Sequence, residues 1–120
     1  MVKDFDELEV YKLAEDLTIF VYKLIKDFPK EERYNVIEQT KKASCSIGAN
    51  VAEGYGRFHY KENIQFCRQA RGSLAEVKHF MKLAKELKYI STDLYEEFLK
   101  KYDTLKIKLN NYINSIGNKK

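Results

Sequence analysis

The sequence predicts an all-α fold, an up-down-up-down antiparallel four-helix bundle occupying residues 1–120 as a single domain. Three observations carry this. Apolar residues recur at spacings of three and four in four separate segments, the pattern of a helix with one inward face. The 120 residues include one proline, and no alternating apolar and polar run marks a half-buried strand. Short connections join the segments, which makes neighbouring helices antiparallel. With 44% hydrophobic residues, the chain has material for one core without metal or disulfide support.

The first helix is expected from about Leu8 to Phe28, with Val10, Leu13, Ala14, Leu17, Val21, Leu24 and Phe28 facing inward. Pro29 ends it, because its ring clashes with a preceding helical turn and it offers no amide hydrogen. Pro29 also opens the second helix in this reading, with Glu31 and Glu32 suited to a helix N-terminus and Val36, Thr40, Ala43, Ile47 and Val51 inward as far as Ala52. Gly54 then supplies a left-handed cap. The third helix begins near Tyr60, keeps Cys67, Ala70, Leu74, Val77, Met81 and Ala84 on one side, and ends around Lys88. Ser91 is the expected N-cap of the fourth, with Asp93 in its first turn and Leu94, Phe98, Leu99, Tyr102, Leu105, Leu109, Tyr112 and Ile116 inward. The tail from Gly117 to Lys120 is read as frayed. Gly72 and Ser73, facing Ser44, Gly48 and Ala49, are expected to let the second and third helices approach closely.

Charge is uneven along this frame. Residues 1–29 hold four basic and seven acidic side chains, whereas residues 53–88 hold eight basic and four acidic. At about 100° per residue, Lys61, Arg68, Arg71, Lys78, Lys82 and Lys85 fall within roughly 120° of arc on the third helix. Such a stripe can track a phosphate backbone, since each neutralised phosphate releases a counterion. A solvated helix face is the competing reading, because the net charge is only +4. Arg57 precedes the stripe, and Tyr55, Phe58, His59 and Tyr60 offer rings for base stacking or for packing at the helix start. The nucleic-acid candidates are therefore Arg57, Lys61, Arg68, Lys78, Lys82 and Lys85, with Arg71 reserved for a structural role.

Other compartments and chemistries find little support. No run of about 18 uncharged apolar residues exists, so a membrane-spanning helix is excluded. Cys45 and Cys67 lie inside helical patterns and no signal peptide precedes the first helix, so a reduced, cytoplasmic protein is expected. Glu76 and His79 form a Glu-x-x-His pair, the unit of a di-iron bundle site, but the only other histidine, His59, lacks a glutamate three residues before it. Cys67 sits on the apolar stripe, where cysteine acts as a small hydrophobe. Gly54-x-Gly56 follows a helix where a nucleotide fingerprint requires a strand. The sequence thus calls for no catalytic residue, metal or cofactor.

Asn50 on the inward side of the second helix and Arg71 at the core edge of the third are expected to pair with Glu53 and Glu76 in a structural polar network, since an unpaired buried polar group costs about 1–3 kcal/mol. Tyr11, Ile19 and Tyr22 lie about 120° or more from the core stripe of the first helix, and Ile107 is similarly placed on the fourth. Several such residues on long helices indicate an oligomer surface.

The segments Phe5-Asp6-Glu7-Leu8-Glu9-Val10-Tyr11, Phe28-Pro29-Lys30-Glu31-Glu32-Arg33-Tyr34, Ser46 to Arg57, Ala70-Arg71-Gly72-Ser73-Leu74-Ala75-Glu76 and Leu87-Lys88-Tyr89-Ile90 together resemble the four-helix-bundle family encoded in 23S rRNA intervening sequences of bacteria. The likeness covers nearly the whole chain. A more distant likeness, of fold, is to the accessory variability determinant of diversity-generating retroelements, a pentameric barrel that works with a reverse transcriptase and nucleic acid. The resemblance implies a homopentamer, no catalytic residues, association with RNA or DNA, and a reverse transcriptase as a distant partner class. Two positions depart from the family pattern: Gly48 stands where proline is common, and His59 replaces the Ser or Thr that would form a capping box with Glu62. A structural or protein-interaction oligomer without nucleic acid is the alternative.

Overall fold

A computed structural model describes residues 2–119. Helix α1 spans Glu9–Ile25, α2 Val36–Tyr55, α3 Tyr60–Glu86 and α4 Thr92–Gly117, with short 3-10 turns at Phe5–Glu7 and Lys30–Glu32. No strand occurs among the described residues. Helices α1 and α3 each pack against both α2 and α4. The whole measures 47 × 26 × 20 Å, and its long dimension is close to the roughly 40 Å of a 27-residue helix.

The inward stripes are buried largely as their spacing requires. Ala14, Leu17 and Val21 of α1, Ile47 and Val51 of α2, and Cys67, Ala70, Val77, Met81 and Ala84 of α3 are fully enclosed. On α4, Phe98, Leu105 and Leu109 are enclosed, while Leu94 is exposed. Tyr95 takes the inward place expected of Leu94, stacking its ring 6.1 Å from that of Phe98. Ile113 is buried as well.

Contacts between helices follow opposed registers. Along α1 and α2, Thr18 Oγ1 donates to the Ser44 carbonyl at 2.8 Å, and Gly48 faces Tyr11. Along α1 and α4, Lys108 reaches Glu9 at 3.4 Å and Lys101 reaches Asp16 at 2.8 Å. Between α2 and α3, the Ser46 and Ser73 hydroxyls are hydrogen-bonded, and Gly54 meets Asn63 and Phe66. In each pair the residue number rises on one helix as it falls on the other.

Four further sequence expectations about the fold are revised in the structure. First, α2 begins at Val36 rather than at Pro29. Residues Lys30–Glu32 form a separate 3-10 turn. The Glu32 carboxylate there accepts from the Tyr89 hydroxyl at 2.7 Å and from Asn35 at 3.3 Å, so it does not serve the α2 N-terminus.

Second, Gly54 lies within α2 and is not left-handed. Its role is close approach: a Cβ would come 2.6 Å from Asn63 Oδ1 and 3.0 Å from both the Asn63 carbonyl oxygen and Phe66 Cβ. The left-handed residue is Lys88 (φ 66°), which follows α3. It lets Tyr89 N–H reach the Ala84 carbonyl at 2.8 Å and Lys88 N–H reach that of Lys85 at 3.0 Å. A non-glycine left-handed residue costs about 1–2 kcal/mol. Tyr89 offsets this by packing its ring 5.4 Å from that of Phe28 and by bonding Glu32.

Third, the small residues divide their labour differently. Gly48 faces α1, where a Cβ would sit 3.4 Å from the Tyr11 ring, and Gly72 is exposed with nothing near it. Ser46 and Ser73, together with Gly54, mark the close α2–α3 approach. Fourth, α4 runs through Gly117, and Asn118 N–H caps it on Asn114 and Ile116 carbonyls. Lys120, part of the expected frayed tail, lies outside the described residues.

Candidate nucleic-acid interface

Residues 71, 78 and 85 are seven apart, so they recur on one side of α3, and that side borders α4. Arg71 donates from Nη1 to Asn110 Oδ1 at 2.9 Å. The Lys78 ammonium lies 4.8 Å from the centroid of the Tyr102 ring, and that of Lys85 lies 5.2 Å from the Tyr95 ring. Their α4 partners descend in order, 110, 102 and 95. These cations lay their aliphatic stems along the seam and keep their heads at its edge. The rings supply a negative face beneath each charge.

Carboxylates engage two further candidates. Lys82 reaches Glu86 at 3.4 Å, and Lys85 reaches the same carboxylate at 3.6 Å. The hydrogen bond from Lys82, reinforced by the charges of both lysines, holds the Glu86 carboxyl below its usual range. Arg57 spans Glu53 at 3.3 Å and Glu62 at 3.6 Å, with its guanidinium 4.8 Å from the Phe66 ring. Glu62 thus serves Arg57. His59, the residue before α3, makes no side-chain cap.

Lys61 and Arg68 stand apart. Both are exposed, and neither has an acidic side chain within 4.0 Å among the described residues. Lys61 lies on the first turn of α3, next to the α2–α3 connection that carries the most exposed ring among the described residues, and Arg68 lies two turns further along. Phe58 is 91% exposed and Tyr60 49%, while Tyr55 is half-buried and His59 packs edge-on to Phe58 at 5.0 Å. The six-residue stripe therefore resolves into Arg71, Lys78, Lys82 and Lys85, which have internal partners, and a free portion, Lys61 and Arg68, in the N-terminal third of α3.

The expected polar network does not form. Asn50 donates to the Ser46 carbonyl one turn back at 2.8 Å, Glu53 pairs with Arg57, and Arg71 reaches Asn110 on α4. Glu76 is exposed and pairs with none of them. The reason is direction: Arg71 points along the α3–α4 seam, away from α2, which carries Asn50 and Glu53. The core encloses Thr40, Ser44 and Asn63 instead, and Asn63 Oδ1 accepts from the Cys67 thiol at 3.5 Å. The signal for Asn63 was its place four residues before Cys67 on the inward stripe.

Of the proposed oligomer residues, Ile19 is 52% exposed, and Ile107 on α4 is 60% exposed. Tyr11 and Tyr22 are half-buried by their own chain. Tyr11 stacks edge-on to Phe5 at 4.9 Å, and the Tyr22 hydroxyl meets Cys45 Sγ at 3.1 Å, which raises the phenol's pKa. All three line the α1–α2 seam. Tyr11, Ile19, Cys45, Gly48 and Ala49 border a groove of about 270 Å³, which continues past Ile19 to Tyr22.

Burial pushes the Cys67 thiol up to about 11 and leaves it inert at neutral pH. Glu76 and His79 are exposed. Among the described residues, no group of three or more His, Cys, Asp or Glu side chains is placed to hold a metal ion, and no helix is long and apolar enough to cross a membrane.

Four long helices around one apolar core, with a cationic third helix, define an all-α four-helix protein. Residues 6–111 match the model of one family, and the chain belongs to it: the 23S rRNA-intervening sequence protein family. Among solved structures it is similar to a protein of unknown function from the S23 ribosomal protein family of Bacteroides thetaiotaomicron VPI-5482, with a TM-score of 0.76 and 20% identity over 87% of this chain and 97% of that one. At that identity the likeness is one of fold. No curated protein matches the chain.

Proposed function

We propose that this chain is a non-enzymatic, self-assembling four-helix bundle that associates with nucleic acid through the α2–α3 turn. The carrying observation is the α2–α3 end of the bundle: Phe58 and Tyr60 present open rings next to Lys61, and Arg68 follows two turns along α3. These two candidate cations have neither a carboxylate nor a ring partner among the described residues. Exposed rings stack bases of any identity and unpaired cations take phosphates, so recognition is weakly sequence-dependent. Arg57, Lys78, Lys82 and Lys85 are secondary contacts in this reading, because binding must compete with partners they already have.

The opposed contact registers support the up-down-up-down arrangement. The apolar α1–α2 seam around Ile19 supports self-association, with a second copy of this chain as the occupant and the pentamer implied by the resemblance as the copy number. Repetition of the turn cluster by symmetry would add weak single contacts through multivalency. The chain acts in the cytoplasm in this proposal, and a reverse transcriptase is the protein partner class that the distant fold likeness points to.

The test is fluorescence anisotropy of single-stranded RNA and DNA with the full chain at about 50 mM salt and above. Replacing Lys61 and Arg68 together by glutamine should reduce the salt slope by roughly one unit per lost phosphate contact and leave helicity intact. Unchanged binding by that variant, or none by the wild type, would leave the structural oligomer as the function. Light scattering at the 14.2 kDa mass of one chain would remove the oligomer.

A further inference from the structure

The end of the α1–α2 hairpin, remote from the cationic stripe in sequence, forms a half-open cavity of about 350 Å³. Ile25, Phe28, Ile37 and Tyr22 form its apolar and aromatic lining. Lys26, Lys30, Arg33 and Lys41 complete it, and no acidic residue takes part. All four cations are exposed, and none has a carboxylate within 4.0 Å among the described residues. Lys41 sits with its ammonium 5.6 Å from the Tyr22 ring, and Arg33 with its guanidinium 6.0 Å from the Tyr34 ring.

Two of the hairpin's carboxylates are drawn elsewhere, while Asp27 and Glu31 are exposed and lie outside the lining. Glu32 is held by the Tyr89 hydroxyl and Asn35, and Glu38 by Lys42 at 3.2 Å. Four cations around one concavity repel one another, and no carboxylate within 4.0 Å of any of them, among the described residues, offsets this directly. An isolated lysine on a helix face has no such cost.

We propose that this cavity is a binding site for a phosphate monoester joined to a flat ring, that is, a nucleoside 5′-phosphate. The cations would take the phosphate, Arg33 with its planar fork and the lysines as mobile point charges. The apolar lining and the Tyr22 ring would take the base. A cavity of about 350 Å³ falls at the lower end of the range for small-ligand sites. Two sources carry this chemistry, a free mononucleotide and the 5′-phosphorylated end of a strand. The site is independent of the α2–α3 turn cluster and shares no residue with it.

Isothermal titration of the full chain with adenosine 5′-monophosphate, adenosine, inorganic phosphate and a 5′-phosphorylated tetranucleotide tests the proposal. The monophosphate should saturate, and adenosine and inorganic phosphate should each bind at least about tenfold more weakly, because each lacks one half of the recognition. The double variant K30Q/R33Q should lose about tenfold in affinity or more, whereas the charge-matched variant K12Q/K100Q, on distant faces of α1 and α4, should bind as the wild type does. All four replaced side chains are exposed, so circular dichroism should show unchanged helicity. Tighter binding of the tetranucleotide through the same two residues assigns the site to strand ends, and weaker binding assigns it to free nucleotides. The proposal is overturned if neither phosphate ester saturates at millimolar concentration, if adenosine binds as tightly as its phosphate, or if the two double variants lose affinity equally.

Discussion

The cationic face of α3 and the end of the α1–α2 hairpin reverse what charge counting suggests. Residues 53–88 hold twice as many basic as acidic side chains, yet Arg71, Lys78 and Lys85 are used along α4, and Glu86, Glu53 and Glu62 hold Lys82 and Arg57. The hairpin draws Lys26 from an acidic segment, and Lys30, Arg33 and Lys41 from one that holds four basic and three acidic residues between positions 30 and 52. Its four cations nonetheless face one cavity without an internal carboxylate. Available charge depends on where the counter-charges point, and a sequence count does not record that.

The comparison can be broken most forcefully by moving α3 itself. Gly54→Ala would place a Cβ 2.6 Å from Asn63 Oδ1 and against backbone at 3.0 Å, so α3 must shift or the turn must rearrange. The expected loss is about 3 kcal/mol in denaturant unfolding, the upper end for overpacking. Nucleic-acid binding at the neighbouring turn should weaken, while nucleotide binding at the hairpin should persist. A variant as stable as the wild type would show that the close approach is not needed.

A second test asks directly whether the α3 seam cations are structural. The triple variant R71A/K78A/K85A should lose about 2 kcal/mol, because each side chain contributes about 0.5–1 kcal/mol through stem packing and its partner on α4. The K30Q/R33Q variant should stay within about 0.5 kcal/mol of the wild type, as surface changes without a partner on another helix do. Equal losses in the two variants would abolish the distinction between the regions.

The smallest effect concerns the core beneath α3. Burial raises the Cys67 thiol from 9.0 to about 11. The folded chain therefore holds that proton where the unfolded chain has released it. The associated stability is complete below pH 9, declines as pH rises, and is lost once pH passes the folded value. By pH 10 the loss should be about 1 kcal/mol. Tyr22, Tyr95 and Tyr112, raised from 10.0, enter chiefly above that pH. Urea unfolding at pH 8 and 10 should show the decline in the wild type and a flatter dependence in Cys67→Ala. The same slope in both would place its origin elsewhere.

Much of the fold was legible because periodicity is a local property. The α1 and α3 stripes, the Ser91 cap, which accepts from Leu94 N–H at 3.1 Å, and the stop before α2 follow from spacing and from the chemistry of single residues. Errors arose where an outcome depended on a distant neighbour. Gly54 looked like a turn glycine because glycine commonly ends helices, whereas Asn63 and Phe66 on the next helix require it. Glu32 looked like an N-terminal acid for α2, but the Tyr89 hydroxyl, fifty-seven positions away, claims it. The candidate site was legible in the same measure: the cations of α3 could be named, while their division into seam-bound and free could not.

By itself, then, the sequence determined four helices, their inward faces, and the family to which its motifs point, since each rests on spacing of three and four or on short runs of residues. Only the tertiary structure decided which charges remain available. Hydrophobic burial is non-directional, so one stripe announces its own burial wherever the partner lies. Ion pairs, cation–ring contacts and hydrogen bonds act over a few ångströms, so their partners are set by the packing of helices whose relative positions no local pattern records.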